Sequence, residues 1–331
     1  MAEPRFDVAG IGNAIVDVLA NADDAFLTTH ALPKGAMILV DEAQAEKLYG
    51  AMGPGIESSG GSAGNTIAGL ASLGARVAYI GKVNDDGLGK IFRHDITSIG
   101  ATFDTKPLSG EISTARCMIL VTPDAERTMS TFLGACTQLG PDDIDATLIQ
   151  ESKVTYVEGY LWDMDAAKQA IVKAADHARN AGRKFSLSLS DSFCVDRHKA
   201  EFLDLVNNHV DILFANETEI MALYDTDDFE TAAKAVQGKV ELAALTRSAK
   251  GCRVVTATDM TDVPAEPVTH LVDTTGAGDQ FAAGFLFGYC RGYEPKLCAR
   301  IGAIAAAEVV SHFGARPEVS SLAELVKEKL G

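Results

Sequence analysis

The string Asp273-Thr274-Thr275-Gly276-Ala277-Gly278-Asp279-Gln280-Phe281-Ala282-Ala283-Gly284 concentrates more potential chemistry than any other part of the chain. Its small residues let successive backbone N–H groups turn into one concavity, a nest for an anion. The apolar run beyond Asp279 predicts a helix, so the nest lies at a helix N-terminus, where the macrodipole adds positive potential. Thr269–Val272 ahead of it reads as a strand. The Asp279 carboxyl is expected to be stabilised there in its ionised form, ready to act as a base beside the anion. A cradle for phosphate charge next to a base at an attacking oxygen is what phosphoryl transfer to an alcohol requires. A tight turn with a first-turn aspartate would explain a bare Gly-Ala-Gly. It does not explain the longer pattern in strand–turn–helix context.

Other polar strings admit two readings each. Gly10-Ile11-Gly12-Asn13-Ala14-Ile15-Val16-Asp17 follows the first apolar run, but a dinucleotide fingerprint needs a third glycine where Ile15 stands. Asp17 can be a turn residue, and Asn65 can cap the helix opening at Thr66; either can instead serve a ligand. Asn216 stands three residues before Glu219, the spacing of a capping box. Arg127, beside Glu126, can be a solvated hairpin residue or a cation aimed at the anion site. There is no GxxxxGK[ST] string, which removes the P-loop class. The six cysteines (Cys117, Cys136, Cys194, Cys252, Cys290, Cys298) form no CxxC pair and fit neither a zinc site nor a disulfide framework.

The elements that must position these residues alternate. Phe6–Ile11, Val77–Gly81, Val154–Val157, Phe185–Leu189, Ile212–Ala215 and Leu242–Thr246 read as buried strands. Asp41–Met52, Gly64–Leu73, Gly87–Ile99, Asp165–Ala181 and Lys199–His209 read as helices, and so do Asp279–Arg291, Pro295–Phe313 and Leu322–Leu330. Such alternation argues for a parallel sheet covered on both faces. Ala101–Lys106, Thr114–Thr122 and Thr128–Phe132 break the rhythm with short strand-like pieces, the last two joined at Pro123-Asp124. With Ala36–Val40 they could form a small second sheet, either a lid over an active site or an extension with no catalytic role.

Composition bounds the partners. The 331 residues are 47% hydrophobic and 23% charged, which excludes global disorder. A net charge of −17 argues against a protein that wraps nucleic acid or lies on an anionic membrane. No stretch approaches the roughly 18 apolar residues of a membrane span, and the first residues lack the pattern of a signal peptide. A cytoplasmic location is expected.

Two of the strings together resemble the signatures of the ribokinase (PfkB) family of carbohydrate and nucleoside kinases. Asp273–Gly284 is similar to the family's C-terminal signature. Gly60-Gly61-Ser62-Ala63-Gly64-Asn65-Thr66-Ile67-Ala68, with Gly74 beyond, is similar to its N-terminal one. They stand in the expected order and distance, so the resemblance covers essentially the whole chain. It implies an α/β fold, a ribokinase-like three-layer α/β/α domain over residues 1–331. A small β-sheet lid would come from about 14–22, 35–41 and 101–133.

The resemblance also implies a site. Asn13 and Asp17 would contact the acceptor's hydroxyls, with Gly60, Gly61, Ser62 and Asn65 closing the pocket. Several strings are similar to the adenosine kinases of the family. Ile15 lies between Asn13 and Asp17; Phe193, in Ser188-Leu189-Ser190-Asp191-Ser192-Phe193, would stack on a base; Cys117 would approach it. Leu39 and Leu133 would be aliphatic lid contacts and Tyr160 a second aromatic wall, although core packing explains each apolar residue singly. On the donor side Asn216 and Glu219 match the family's Asn-x-x-Glu element and would position magnesium-bound waters. Thr246 and Gly251 remain from a Thr-x-Gly-x-x-Gly element in which Ser248 replaces the first glycine. Thr274, Gly276, Gly278 and Gly314 would border ATP, and the carbonyls around Asp273 and Thr275 would take a potassium ion. The amides of Gly276, Ala277 and Gly278, the base Asp279 and Arg127 on the lid would carry the catalysis. His312 reads as packed or solvated.

The implied activity is ATP-dependent phosphorylation of the 5′-hydroxyl of adenosine, giving AMP and ADP. The alternatives are a ribose- or fructose-type sugar kinase, an inosine–guanosine kinase and, in another class, a non-catalytic nucleotide sensor. The partners would be a small nucleoside or sugar and ATP, in a monomer or a homodimer, with no nucleic acid and no membrane.

Overall fold

The runs that read as buried strands pair into one large sheet in a computed structural model that describes residues 3–124 and 126–331. Among these residues the strands are, in chain order, β1 (Phe6–Ile11), β2 (Ile15–Asn21), β3 (Met37–Leu39), β4 (Ile56–Ser59), β5 (Val77–Ile80), β6 (Ala115–Val121), β7 (Arg127–Phe132), β8 (Ser152–Glu158), β9 (Lys184–Ser188), β10 (Ile212–Asn216), β11 (Leu242–Thr246), β12 (Cys252–Thr256) and β13 (Met260–Val263). The large sheet is eight-stranded in the order β13-β12-β11-β10-β9-β8-β1-β5. From β5 to β11 the strands are parallel; β12 and β13 are antiparallel at one edge, so the sheet is mixed. The links into β12 and from β12 to β13 are too short for a crossover helix, which leaves antiparallel pairing as the only choice.

Strand alternation divides the core in two. Ala9 and Ile11 of β1 pack with the helices Asp165–Asn180 and Ser192–Asn208, while Val8 packs with Ser62–Ser72 and Ala277–Cys290. Every residue of β1 is buried, as a strand covered on both faces requires. The result is the expected three-layer arrangement.

The small sheet is five-stranded, in the order β3-β7-β6-β2-β4. One face places Ala20, Met118 and Leu120 against Leu27, Ala45 and Leu48 of the helices Asp24–Thr29 and Glu42–Ala51. The opposite face carries Asp17, Cys117, Thr131 and Leu39 side by side, in register across β2, β6, β7 and β3.

Two expectations are corrected. Residues 101–106 do not join the small sheet; Tyr79 N donates to Thr102 O at 2.8 Å and Thr102 N to Val77 O at 3.1 Å, along the edge of β5. The reason is apolar, because Phe103 packs against both Tyr79 and Phe92 with ring centroids 5.6 Å from each. In its place β4 completes the small sheet. Thr269–Val272 forms no strand; Val272 N and Asp273 N both donate to Val310 O, at 2.9 and 3.3 Å, so a helix end holds this segment. Among the described residues no helix is long and apolar enough to cross a membrane.

Candidate active site

The carboxyl ends of the parallel strands share one edge of the large sheet, where open α/β sheets form ligand crevices. Ile11 pairs with Val157, Glu158 with Ser188, and Asn216 with Thr246. The loops leaving these strands therefore bring Asn13, Tyr160, Phe193, Asn216 and Thr246 to the same edge.

The helix Ala277–Cys290 opens there. Gly276 is its N-cap with φ +79°, and a Cβ at this position would lie 2.7 Å from Ala315, so only glycine fits. The amides of Gly278 and Asp279 belong to the first turn, where no intrahelical acceptor exists. Nothing lies within 4 Å of a Cβ built on Gly278, so the nest is open on that side. Ala277 N turns back to Thr274 O at 3.3 Å, and Thr274 is exposed.

Asp279 Oδ1 accepts from Ser62 Oγ at 2.6 Å and Oδ2 from Asn65 Nδ2 at 3.3 Å. Burial pushes the carboxyl up to about 6, while these two hydrogen bonds oppose the rise. The expectation that the helix N-terminus dominates is thus corrected, since desolvation is the larger effect. At neutral pH the group is still mostly ionised, and its pKa lies closer to the working range of a general base.

Asp17 is pushed up to about 6 by burial, against the pull of Arg316 and Arg127, with Asp279 adding to the rise. Gly60 and Gly61 make its position possible. A side chain on Gly60 would collide with Asp17 Oδ2; one on Gly61, at φ +81°, would collide with Asn13 O. Gly60 N donates to Ile15 O at 2.8 Å, and the Ile15 side chain is half-buried. Asn13 donates from both N (2.9 Å) and Nδ2 (2.8 Å) to Glu158 Oε1, which leaves its Oδ1 as the free polar end. Glu158 Oε2 accepts from Ala63 N at 2.7 Å. This carboxyl is almost wholly enclosed and pushed up to about 7 by desolvation.

The row on the small sheet points the same way as Asp17. Cys117 is buried, accepts from Thr131 Oγ1 at 3.2 Å, and is pushed up to about 12, so it is an inert thiol. Leu39 is 61% exposed at the end of the row, and Leu133 is half-buried just past β7. Phe193, in the first turn of the helix Ser192–Asn208, is 72% exposed. Tyr160 donates from its hydroxyl to Ser190 O at 3.2 Å. Burial pushes that hydroxyl well up, and the carboxylates of Asp191, Asp279, Glu219 and Glu158 add to the rise.

Asn216 and Glu219 form the full capping box. Asn216 Oδ1 accepts from Glu219 N at 2.8 Å, while Asn216 N and Nδ2 donate to the two Glu219 oxygens at 2.9 and 2.6 Å. Glu219 is pushed up to about 7 by burial. Thr246 Oγ1 lies 3.5 Å from Ala215 O. Gly251 has φ +88° and passes so close to Val263 O that a side chain would collide, so the strand pairing alone requires glycine. Ser248 takes a positive φ of 51° although it is not glycine.

Arg127 reaches across from β7, its Nη2 lying 2.9 Å from Asp273 Oδ2. Gly314 N donates to the same oxygen at 3.1 Å, and Asp273 Oδ1 accepts from Thr275 N and Oγ1 at 3.0 and 2.8 Å. Both carboxylate oxygens are thus engaged within the loop; among the described residues no observed contact supports the potassium ion expected at the backbone carbonyls around Asp273 and Thr275. His312 packs against Glu308, Nε2 to Oε1 at 3.2 Å.

Three residues of the cleft receive no role from the sequence, although Gln280 lies inside the Asp273–Gly284 string. Glu158 ties the Asn13 loop to the helix Ser62–Ser72; its only signal is a charge ending an apolar strand. Gln280 is fully buried and donates to Asn65 O and Ala315 O, both at 2.9 Å, clamping two helix starts together. Arg316 donates to Asn65 Oδ1 and Ser59 Oγ, at 3.2 and 2.7 Å.

The sequence pattern of the pfkB family carbohydrate kinases matches residues 55–321. Among solved structures, the adenosine kinase from Sinorhizobium meliloti is 52% identical, with a TM-score of 0.91, covering 98% of this chain and 99% of that one. A probable sugar kinase from Rhizobium etli CFN 42 is 49% identical with the same TM-score of 0.91 and the same coverage, 98% and 99%. The adenosine kinase of Saccharomyces cerevisiae is 27% identical over 326 residues, covering 92% of this chain and 94% of its own.

Proposed function

Since the chain belongs to the pfkB family of carbohydrate kinases, phosphotransferases that act on an alcohol group, we propose that its acceptor is adenosine and its products AMP and ADP. The exposed ring of Phe193 carries this reading. An aromatic face left 72% open at the strand-end edge, beside Tyr160, suits a flat purine, while a free pentose or hexose would leave it unused. In this reading Leu39, exposed at the apolar end of the small-sheet row, would supply the facing wall. The 52% identical relative from Sinorhizobium meliloti, an adenosine kinase, supports the same choice.

In this reading Asp17 and the free Oδ1 of Asn13 accept from the ribose hydroxyls. Asp279 takes the proton of the 5′-hydroxyl as that oxygen attacks the γ-phosphorus of ATP, and ADP leaves. The amides at Gly276–Asp279 receive the charge of the transferring phosphoryl group. Arg127 moves from Asp273 to the phosphoryl group when the small sheet closes, so positive charge arrives with the acceptor in place. Thr246, Thr274 and Gly314 border the nucleotide. Magnesium, which accompanies ATP in kinases of this family, would be held through its water shell by Asn216 and Glu219, each Glu219 oxygen keeping a lone pair beyond its capping-box hydrogen bond. Bound there, magnesium would offset the charge of the ATP phosphates.

Steady-state phosphorylation of adenosine, inosine, ribose and fructose tests the reading. Adenosine should exceed each of the others by about a hundredfold in kcat/KM. A preference for ribose or fructose overturns it, as does a Phe193→Ala variant whose KM for adenosine is unchanged.

A further inference from the structure

Gly314 is expected to border ATP, but the arginine two residues on, Arg316, turns to the acceptor side. The Arg316 guanidinium lies beneath the start of the helix Ser62–Ser72, and a Cβ on Gly64 would sit 3.7 Å from its Nη2. Its Nε donates to Asn65 Oδ1 at 3.2 Å and its Nη1 to Ser59 Oγ at 2.7 Å. Nη2 is enclosed and has no hydrogen-bond partner. A guanidinium placed only to hold structure would ordinarily have its donors satisfied. This one is instead set among charges. Asp17 and Asp95 are the carboxylates that favour its charged form against burial.

The amide of Asn65 is the informative group. It lies between Arg316 and Asp279, with Oδ1 on the first and Nδ2 on the second. Arg316 can only donate, and an ionised Asp279 can only accept. One orientation of the amide satisfies both; the flipped one would set nitrogen against guanidinium and oxygen against carboxylate. Arg316 therefore decides which end of Asn65 the Asp279 carboxylate meets. The same cation stands beside Asp17, because its partner Ser59 adjoins Gly60, where a Cβ would collide with the Asp17 carboxylate. The other groups around Asp17 are Arg127 from β7, Asp279 from the helix start, and the neutral Cys117 thiol from β6.

We propose that Arg316 is a positioning residue for transfer to the acceptor, locking the Asn65 amide onto Asp279 and supplying the counter-charge that keeps Asp17 ready for the acceptor's hydroxyls. The proposal rests on the reading of Asp279 as the base. It assigns two separable effects to one side chain. Charge at this position governs Asp17, and the directional Nε–H governs Asn65.

The test uses Arg316→Gln, Arg316→Lys, Asn65→Ala and the double variant R316Q/N65A, with kcat and acceptor KM measured from pH 5 to 9 and melting temperature as the control. R316Q should lower kcat about tenfold, raise acceptor KM about tenfold and move the acidic limb of kcat/KM up by about one unit, because Asp17 loses a cation that favours its ionised form. R316K should return the limb to its original position yet leave kcat low, since an ammonium restores charge without the planar fork. N65A and the double variant should agree in kcat within about twofold, because Arg316 acts on Asp279 through Asn65. Wild-type kcat and an unmoved limb in R316Q overturn the proposal, and so do losses that multiply in the double variant. If R316Q melts below the assay temperature, R316K decides alone, and a normal kcat in it overturns the proposal. An Asp279→Asn variant with near-normal turnover would instead remove the base itself, whatever the Arg316 variants do.

Discussion

Asp279 shows how opposing effects set one pKa. Burial raises it, while the Ser62 hydroxyl and the Asn65 amide, each donating to one oxygen, pull it back to about 6. As the proposed base it should be indispensable for chemistry and dispensable for binding. Asp279→Asn should therefore cut kcat by at least about a hundredfold while adenosine still binds, as isothermal titration with adenosine would show. Normal turnover would exclude the role. Ser62 makes a finer prediction. A donor to a carboxylate favours the charged form, so Ser62→Ala should raise the base's pKa and move the acidic limb of kcat upward by about half a unit or more. A limb that stays put would mean that Ser62 does not tune this group. The residues that could be read in the sequence are those embedded in a string whose neighbours share the task, such as Asp279 after Gly276-Ala277-Gly278. Glu158 and Arg316 escape that reading because their partners, Asn13, Ala63, Asn65 and Ser59, lie far along the chain and meet them only through the fold.

The anion loop belongs to the helix it opens, and two of its glycines do different work. Gly276 is held at φ +79° with Ala315 closing over it, so Gly276→Ala should cost about 1–3 kcal/mol and lower the urea midpoint. Gly278 has open space where a Cβ would be, so Gly278→Ala should leave the midpoint unchanged. Its methyl would instead stand in the phosphoryl nest, and kcat/KM for ATP should fall about tenfold or more. Equal effects of the two substitutions on stability would contradict this division. The same contrast governs what the sequence reveals of the elements. The strands of the large parallel sheet are short apolar runs buried on both faces, and β1 and β11 match their expected limits. β4 is invisible because it is a short edge strand with Ile56 exposed and no alternation to read. β12 and β13 lie past the last helix–strand repeat, and residues 101–106 mislead because Phe103 serves the β5 edge while looking like part of a hairpin. At Thr269–Val272 β-branched residues stand without a strand neighbour, and propensity alone does not make a ladder.

At the scale of the molecule, the outer face of the small sheet is already covered by the helices Asp24–Thr29 and Glu42–Ala51. Pairing of two such sheets face to face would have to displace them, and two chains of net charge −17 repel each other. Light scattering at micromolar concentration should therefore give a monomer; a dimer would point to a surface other than this one. The acidity also bears on stability. Four carboxyls around the cleft are raised in the folded chain, Asp17 and Asp279 to about 6, Glu158 and Glu219 to about 7, each chiefly by burial. Between about pH 4 and 7 the folded state holds protons that the unfolded state has released. Stability therefore falls as pH rises through that window, because the folded chain must ionise groups that water would solvate better. Asp7 works in the opposite sense and lower down. Its pKa is about 2 because hydrogen bonds and charge from Arg76 and Lys153 outweigh its burial, so its contribution is lost only as pH falls below about 4. The ligand-free protein should consequently be most stable near pH 4, with a melting temperature at pH 5.5 some 2–5 °C above that at pH 7.5. Lower net charge at the lower pH acts in the same direction. Saturating adenosine should narrow the gap, since a ligand that donates to ionised Asp17 and Asp279 binds better at the higher pH. A melting temperature that climbs from pH 5.5 to 7.5 without ligand would mean that these carboxyls are solvated and the cleft is open to water.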